Sequence, residues 1–221
     1  MLKWLCMKEF TKREAEKVLN TLESMFPNAK TELNFKTPFQ LLVAVILSAQ
    51  CTDKRVNEVT KELFKVCSTP LDFVKIPTEE LEKLIYSCGF YKNKAKHIKE
   101  ASKDIVDRFN GKVPNNKEDL LSLSGVGIKT ANVVGSVAFD IPAIAVDTHV
   151  FRVSKRIGLA FSNTPEKVEK ELEDLIEMDR WNKAHHLFIF LGRYMCHSQK
   201  PDCENCKLKT ICQHYKKVND V

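Results

Sequence analysis

Four cysteines crowd into seventeen positions late in the chain, spaced Cys196-x6-Cys203-x2-Cys206-x5-Cys212. No other feature limits the fold as strongly. Thiols at this spacing reach one centre, and metal ligation gives a short tail a fixed shape that its few apolar residues cannot supply. Sets of four cysteines serve tetrahedral zinc or an iron-sulfur cluster, and spacing by itself leaves both open. His197 and His214 flank the thiols and could stand in as zinc ligands. Lys200, Lys207 and Lys209 interleave with them, so the metal loop also carries positive charge. The other four cysteines, Cys6, Cys51, Cys67 and Cys88, stand singly, as expected of small apolar residues inside helices rather than of a disulfide framework.

Ahead of that tail lies an ordinary globular sequence. Of 221 residues, 43% are apolar and 29% charged, with only 7 Gly and 8 Pro. That is enough for a core in one or two domains, and it excludes collagen-like, low-complexity and disordered chains. The longest unbroken apolar run, 41–47, falls far short of the roughly 20 residues a membrane-spanning helix needs. The apolar start is cut by Lys3 and followed by charges, without a secretory h-region, so an intracellular protein with no membrane partner is expected. Lys and Arg number 35 against 29 Asp and Glu, and a net charge of +6 biases the chain toward polyanions without deciding anything.

Apolar residues recur at helical spacing through most of the chain. Thr37 and Pro38 suit the cap and first position of a helix carrying Phe39, Leu42, Val43, Ile46 and Leu47. Asp53 is expected to cap a helix with Val56, Val59, Leu63 and Val66. Thr78, Glu79 and Glu80 open another through Leu81, Leu84 and Ile85, with Gly89 as its stop. Ala95, Ile98, Ala101, Ile105 and Phe109 mark the next, and Asn110-Gly111 reads as its end. Thr164-Pro165-Glu166 opens a helix with Val168, Leu172, Leu175 and Ile176, and residues 184–191 form a last apolar helix. No strand is needed.

Between two helical patterns stands LSGVGIKTA, residues 123–131. Gly125 and Gly127 permit a tight turn whose amides face outward at a helix N-terminus, which is a phosphate site as well as a plain interhelical turn. Lys129 falls in the first turn of the following helix, where the positive end of the dipole opposes an ammonium. If it is also partly buried, its neutral form is favoured, and only a neutral amine attacks carbon. A surface lysine on a phosphate is the blander reading. Further on, Asp147 looks like the N-cap of a helix with Val150, Val153 and Ile157, and a capping carboxylate is held rigidly. His149 then sits in the first turn, in a packing or hydrogen-bonding role.

TELNFKTPFQLLVAVILSAQCTD, GFYKNKA, LSGVGIKTANVV, AVDTHVFRV and the cysteine cluster, in this order, resemble the endonuclease III family of DNA glycosylases within the helix-hairpin-helix superfamily. The resemblance covers nearly the whole chain. It implies an all-α, two-lobed fold. A six-helix barrel lobe spans 31–141, with the helix-hairpin-helix near 120–135. It is inserted into a second helical lobe, built from 1–30 and 142–221, that holds the cluster loop at 196–212. An active-site cleft would lie between the lobes.

The resemblance also assigns roles. The cysteine spacing is the family's 4Fe-4S signature, which favours iron-sulfur over zinc. Lys129 matches the nucleophilic lysine and Asp147 the catalytic aspartate. Gln50 matches the residue that fills the gap left by a flipped base, and Phe90 the apolar wedge in the opposite strand. The amides at Gly125 and Gly127 would hold backbone phosphate, with Lys200, Lys207 and Lys209 facing DNA. Many members carry Leu at the wedge and a basic residue before the lysine, where this chain has Phe90 and Ile128. The implied activity is a bifunctional DNA glycosylase and AP lyase of base excision repair. It would act as a monomer on double-stranded DNA containing damaged pyrimidines or abasic sites. The alternatives are a monofunctional mismatch or uracil-type glycosylase and a non-catalytic iron-sulfur DNA-binding or redox-sensing protein.

Overall fold

The computed structural model describes residues 10–219, and every regular element within them is helical. Residues 1–9, with Cys6, and residues 220–221 lie outside the described residues. In chain order the α-helices are α1 (Lys12–Met25), α2 (Pro38–Ser48), α3 (Asp53–Val66), α4 (Pro70–Lys75), α5 (Thr78–Ile85) and α6 (Tyr91–Phe109). They continue with α7 (Lys117–Leu121), α8 (Ile128–Phe139), α9 (Thr148–Ile157), α10 (Pro165–Leu175), α11 (Trp181–Tyr194) and α12 (Gln213–Asn219). None is long and apolar enough to cross a membrane. The chain divides into two compact units: Thr31–Ile141, holding α2 to α8, and the flanks up to Lys30 and from Pro142, holding α1 and α9 to α12.

Helix α2 is the centre of the first unit. Thr37 Oγ1 accepts from Gln40 N–H at 3.2 Å and Pro38 occupies the first helical position, so the start is fixed by side-chain chemistry. Nine of its residues are buried, which is why it reads as apolar on every side. Helices α3, α6 and α8 pack around it, and α6 also carries α4 and α5.

Two local expectations need correction. Thr52, not Asp53, caps α3, its hydroxyl accepting from Arg55 N–H at 3.3 Å, while Asp53 sits one residue inside, where its charge still complements the helix dipole. The described single cysteines, Cys51, Cys67 and Cys88, lie in or against the core but not inside α-helices. Cys67 is the C-cap of α3, Cys88 lies in the 3-10 turn Tyr86–Cys88, and half-buried Cys51 sits in the bend after α2. Helix α4 is too short for a hydrophobic period. It is set by a capping box, with Thr69 Oγ1 accepting from Asp72 N–H and the Asp72 carboxylate accepting from Thr69 N–H.

In the second unit α11 packs against α9 and α1, and α12 against α9. The α9–α11 approach is close because Gly192 has no side chain. A Cβ there would lie 2.8 Å from His149 Cβ and 2.9 Å from its Nδ1. Gly192→Ala must push apart two packed helices, and a loss of about 1–3 kcal/mol is expected in urea unfolding. An unchanged midpoint would show that the contact can relax.

Candidate functional site

Between α7 and α8 the chain turns on buried Leu123 and Val126, with Gly125 at φ +73°. Helix α6 holds the turn from beneath. Ser124 N–H donates to Asp104 Oδ2 at 2.9 Å, and Arg108 Nη2 donates to Ser122 Oγ at 2.8 Å. A Cβ on Gly125 would sit 2.5 Å from His97 Cβ, so only glycine satisfies both the backbone angle and the contact. Gly127 is the N-cap of α8 and, having no side chain, gives its first turn no capping acceptor; that turn also lacks an acidic residue. The amides of this first turn, on exposed residues at the positive end of the helix dipole, make it a candidate anion site. Lys129 is the second residue of α8 and is exposed. The partial burial left open by the sequence is therefore not found.

Asp147 is the N-cap of α9. Its Oδ1 accepts from the N–H groups of His149 and Val150, both at 2.8 Å, and the side chain is half-buried. Among the described residues Oδ2 accepts no hydrogen bond, so one carboxylate oxygen builds the helix and the other is available. His149 takes the expected packing and hydrogen-bonding place. Its Nδ1 lies 3.2 Å from Arg152 Nη2, which donates to Gly192 O at 2.8 Å. Burial, reinforced by Arg152 and Arg193, holds its imidazole below the usual range against the pull of Asp147, so it is neutral near pH 7.

Gln50 and Phe90 both have left-handed backbone, at φ 52° and 48°, and both are exposed, Phe90 to 66%. Five non-glycine residues do this among those described. Asn110 and Asp140 are helix C-caps, of residue types that tolerate the conformation. Gln50, Phe90 and Lys200 lack that excuse, and each costs of order 1–3 kcal/mol that its surroundings must offset. Part of the surroundings of the first two is Lys94, which nothing in the sequence singles out from exposed Lys92 and Lys96. It is 5% exposed, and its ammonium donates to Leu47 O at 2.8 Å and Cys88 O at 2.5 Å. Burial pulls its pKa below the ordinary lysine value.

Cys196, Cys203, Cys206 and Cys212 line one apolar cavity together with Ile157, Leu191, Met195 and Leu208, and all four thiols are free of disulfides. Helix α9 anchors their loop through Arg156, whose guanidinium donates to His197 O at 2.6 Å, Ser198 O at 2.9 Å and Cys196 Sγ at 3.4 Å. Cys212 Sγ in turn donates to Arg156 O at 3.3 Å. Of the two histidines, His214 lines the cavity and His197 does not. Among the described residues no three His, Cys, Asp or Glu side chains converge as ligands of one metal ion. Asp202 also borders the cavity, and four thiols around one apolar wall fit the donor set of an iron-sulfur cluster. Lys209 is half-buried and donates to Glu204 O at 3.1 Å, with Glu204 Oε2 at 3.5 Å, so its charge is already engaged. Lys200 and Lys207 remain exposed.

Residues 43–178 match the HhH-GPD superfamily of base excision DNA repair proteins. Endonuclease III of Bacillus subtilis strain 168 is 48% identical over 206 residues, covering 93% of this chain and 94% of that protein. Endonuclease III of Escherichia coli K12 is 40% identical over 202 residues, 91% of this chain and 96% of that one. A solved structure of a trapped endonuclease III–DNA covalent intermediate, an estranged-adenine complex, matches with a TM-score of 0.91 at 48% identity, over 95% of this chain and 99% of that one.

Proposed function

Because the chain belongs to the HhH-GPD superfamily of base excision DNA repair proteins and, within it, to the endonuclease III family, we propose that it removes damaged pyrimidines from duplex DNA and nicks the strand, both through Lys129. The observation that carries the reading is a lysine on the first turn of a helix whose N-terminal amides have no acceptor of their own. It unites a nucleophile with a phosphate site on one rigid turn.

A base stacked in a duplex hides its sugar carbon, so the nucleotide must be extruded, at a few kcal/mol that a poorly stacked lesion reduces. Phe90 would wedge into the opposite strand and Gln50 would fill the gap, while the amides at Gly125 and Gly127 hold backbone phosphate. The neutral amine of Lys129 attacks C1′, the bond from C1′ to the base breaks, and the base leaves with a proton. Opening of the sugar gives a Schiff base, loss of the C2′ proton expels the 3′ phosphate, and water then frees the lysine. Asp147 takes the proton that Lys129 must lose and offsets positive charge developing on the sugar. The enzyme would act as a single chain on genomic DNA inside the cell, where thiols stay reduced.

Cys196, Cys203, Cys206 and Cys212 would hold a 4Fe-4S cluster. When bound it supplies a covalent cross-link to a loop with little core of its own, and no step above passes through it. Purified protein is expected to contain four iron and four acid-labile sulfide per chain. Cys203→Ala should lose both and cost at least about 3 kcal/mol, a fall in Tm of roughly 10 °C for a chain of this size. Stoichiometric zinc in place of iron would contradict the assignment.

The function is tested by product analysis on a duplex with one oxidised pyrimidine. Base release together with a nick ending in an unsaturated 3′ aldehyde is expected. Base release that leaves an intact abasic strand would mean that water is the nucleophile, and no release would remove the glycosylase reading altogether.

A further inference from the structure

We propose that Lys94 is a positioning residue for nucleotide extrusion, its buried ammonium fixing the spacing between the Gln50 loop and the Phe90 loop without itself touching DNA. The proposal rests on reading Gln50 and Phe90 as the residues that enter the duplex.

Leu47 lies in the last turn of α2, where carbonyls have no intrahelical partner, and Gln50 follows three residues later. Cys88 ends the 3-10 turn, and Phe90 follows two residues later. Both carbonyls converge on one nitrogen, Lys94 Nζ, at 2.8 and 2.5 Å. The backbone adds a third tie, since Lys94 N–H donates to Phe90 O at 3.1 Å.

A lysine is a poor choice for filling this space, because burying an ammonium is costly and an apolar side chain would pack there more cheaply. Among the described residues no carboxylate acts on it. The side chains that act on its charge are the thiols of Cys51 and Cys88, each adjoining one of the same two loops. The positive charge is held by carbonyl dipoles at the C-terminal ends of α2 and of the 3-10 turn, an arrangement suited to a clamp. Each loop also carries a left-handed, non-glycine residue at its tip, a conformation that persists only where the surroundings hold it.

The test is a double-mutant cycle on single-turnover base excision from a lesion duplex, with folding checked by circular dichroism. Lys94→Met should slow excision roughly 10- to 100-fold, as a misplacement of about an ångström can. In the background Gln50→Ala with Phe90→Ala, the same substitution should cost less than about 3-fold more, because the clamp then positions nothing. Should Lys94→Met fail to fold, Lys94→Gln, which keeps an amide donor, takes its place in the cycle. Losses that multiply across the two backgrounds, an excision rate untouched by Lys94→Met, or failure of both variants to fold would each overturn the proposal. If Gln50→Ala with Phe90→Ala excises at the wild-type rate, it is the assignment of those two residues that fails.

Discussion

Lys129→Gln is expected to abolish base release and strand nicking together, each by on the order of 10⁴-fold or more. Binding of a lesion duplex should change far less, by under roughly 10-fold. The separation follows from where the residue stands. Lys129 is exposed on the first turn of α8, so its replacement disturbs no packing and should shift stability by no more than about 0.5 kcal/mol. The turn itself is held by Leu123, Val126 and the Asp104 contact to Ser124, none of which involves the lysine. Gln keeps a polar side chain of similar reach but has no lone pair that can form an imine. Both activities vanish together only if one amine performs both. Persisting base release with lost nicking would assign the two steps to different nucleophiles.

Asp147 carries two roles that a pair of substitutions separates. Asp147→Asn keeps an oxygen to accept from His149 and Val150 N–H, and Asn caps helices about as well as Asp. Stability should stay within about 0.5 kcal/mol of the parent, while excision falls roughly 10²- to 10⁴-fold for want of a carboxylate to take a proton. Asp147→Ala removes the cap as well and should cost about 1 kcal/mol more in urea unfolding, with excision no better than in the Asn variant. If Asp147→Asn excises at the parent rate, the carboxylate is a helix cap and nothing further.

The features legible in the sequence are those whose chemistry is local. Thr37-Pro38 starts a helix because the hydroxyl and the ring act within three residues, and Asp147 does so through the N–H groups of His149 and Val150. Asn110-Gly111 ends α6 because both residues tolerate left-handed backbone. The glycines of the 123–131 turn mark a tight interhelical turn for the same reason. What the sequence hides depends on residues far apart in the chain. Lys94 has the composition of its exposed neighbours, and only the arrival of Leu47 and Cys88 turns it into a buried clamp. Gln50 and Phe90 give no local sign of left-handed backbone. Lys209 looks like one more exposed charge until the loop folds Glu204 onto it.

Borohydride trapping tests the central claim most directly. Incubated with a duplex containing one oxidised pyrimidine and reduced with borohydride, the parent protein should be captured as a covalent adduct with the DNA, and peptide mapping should find the sugar on Lys129. The Lys129→Gln protein should give none. An untrappable parent protein that still releases the base, or an adduct that survives in Lys129→Gln, would contradict a Schiff base at this lysine.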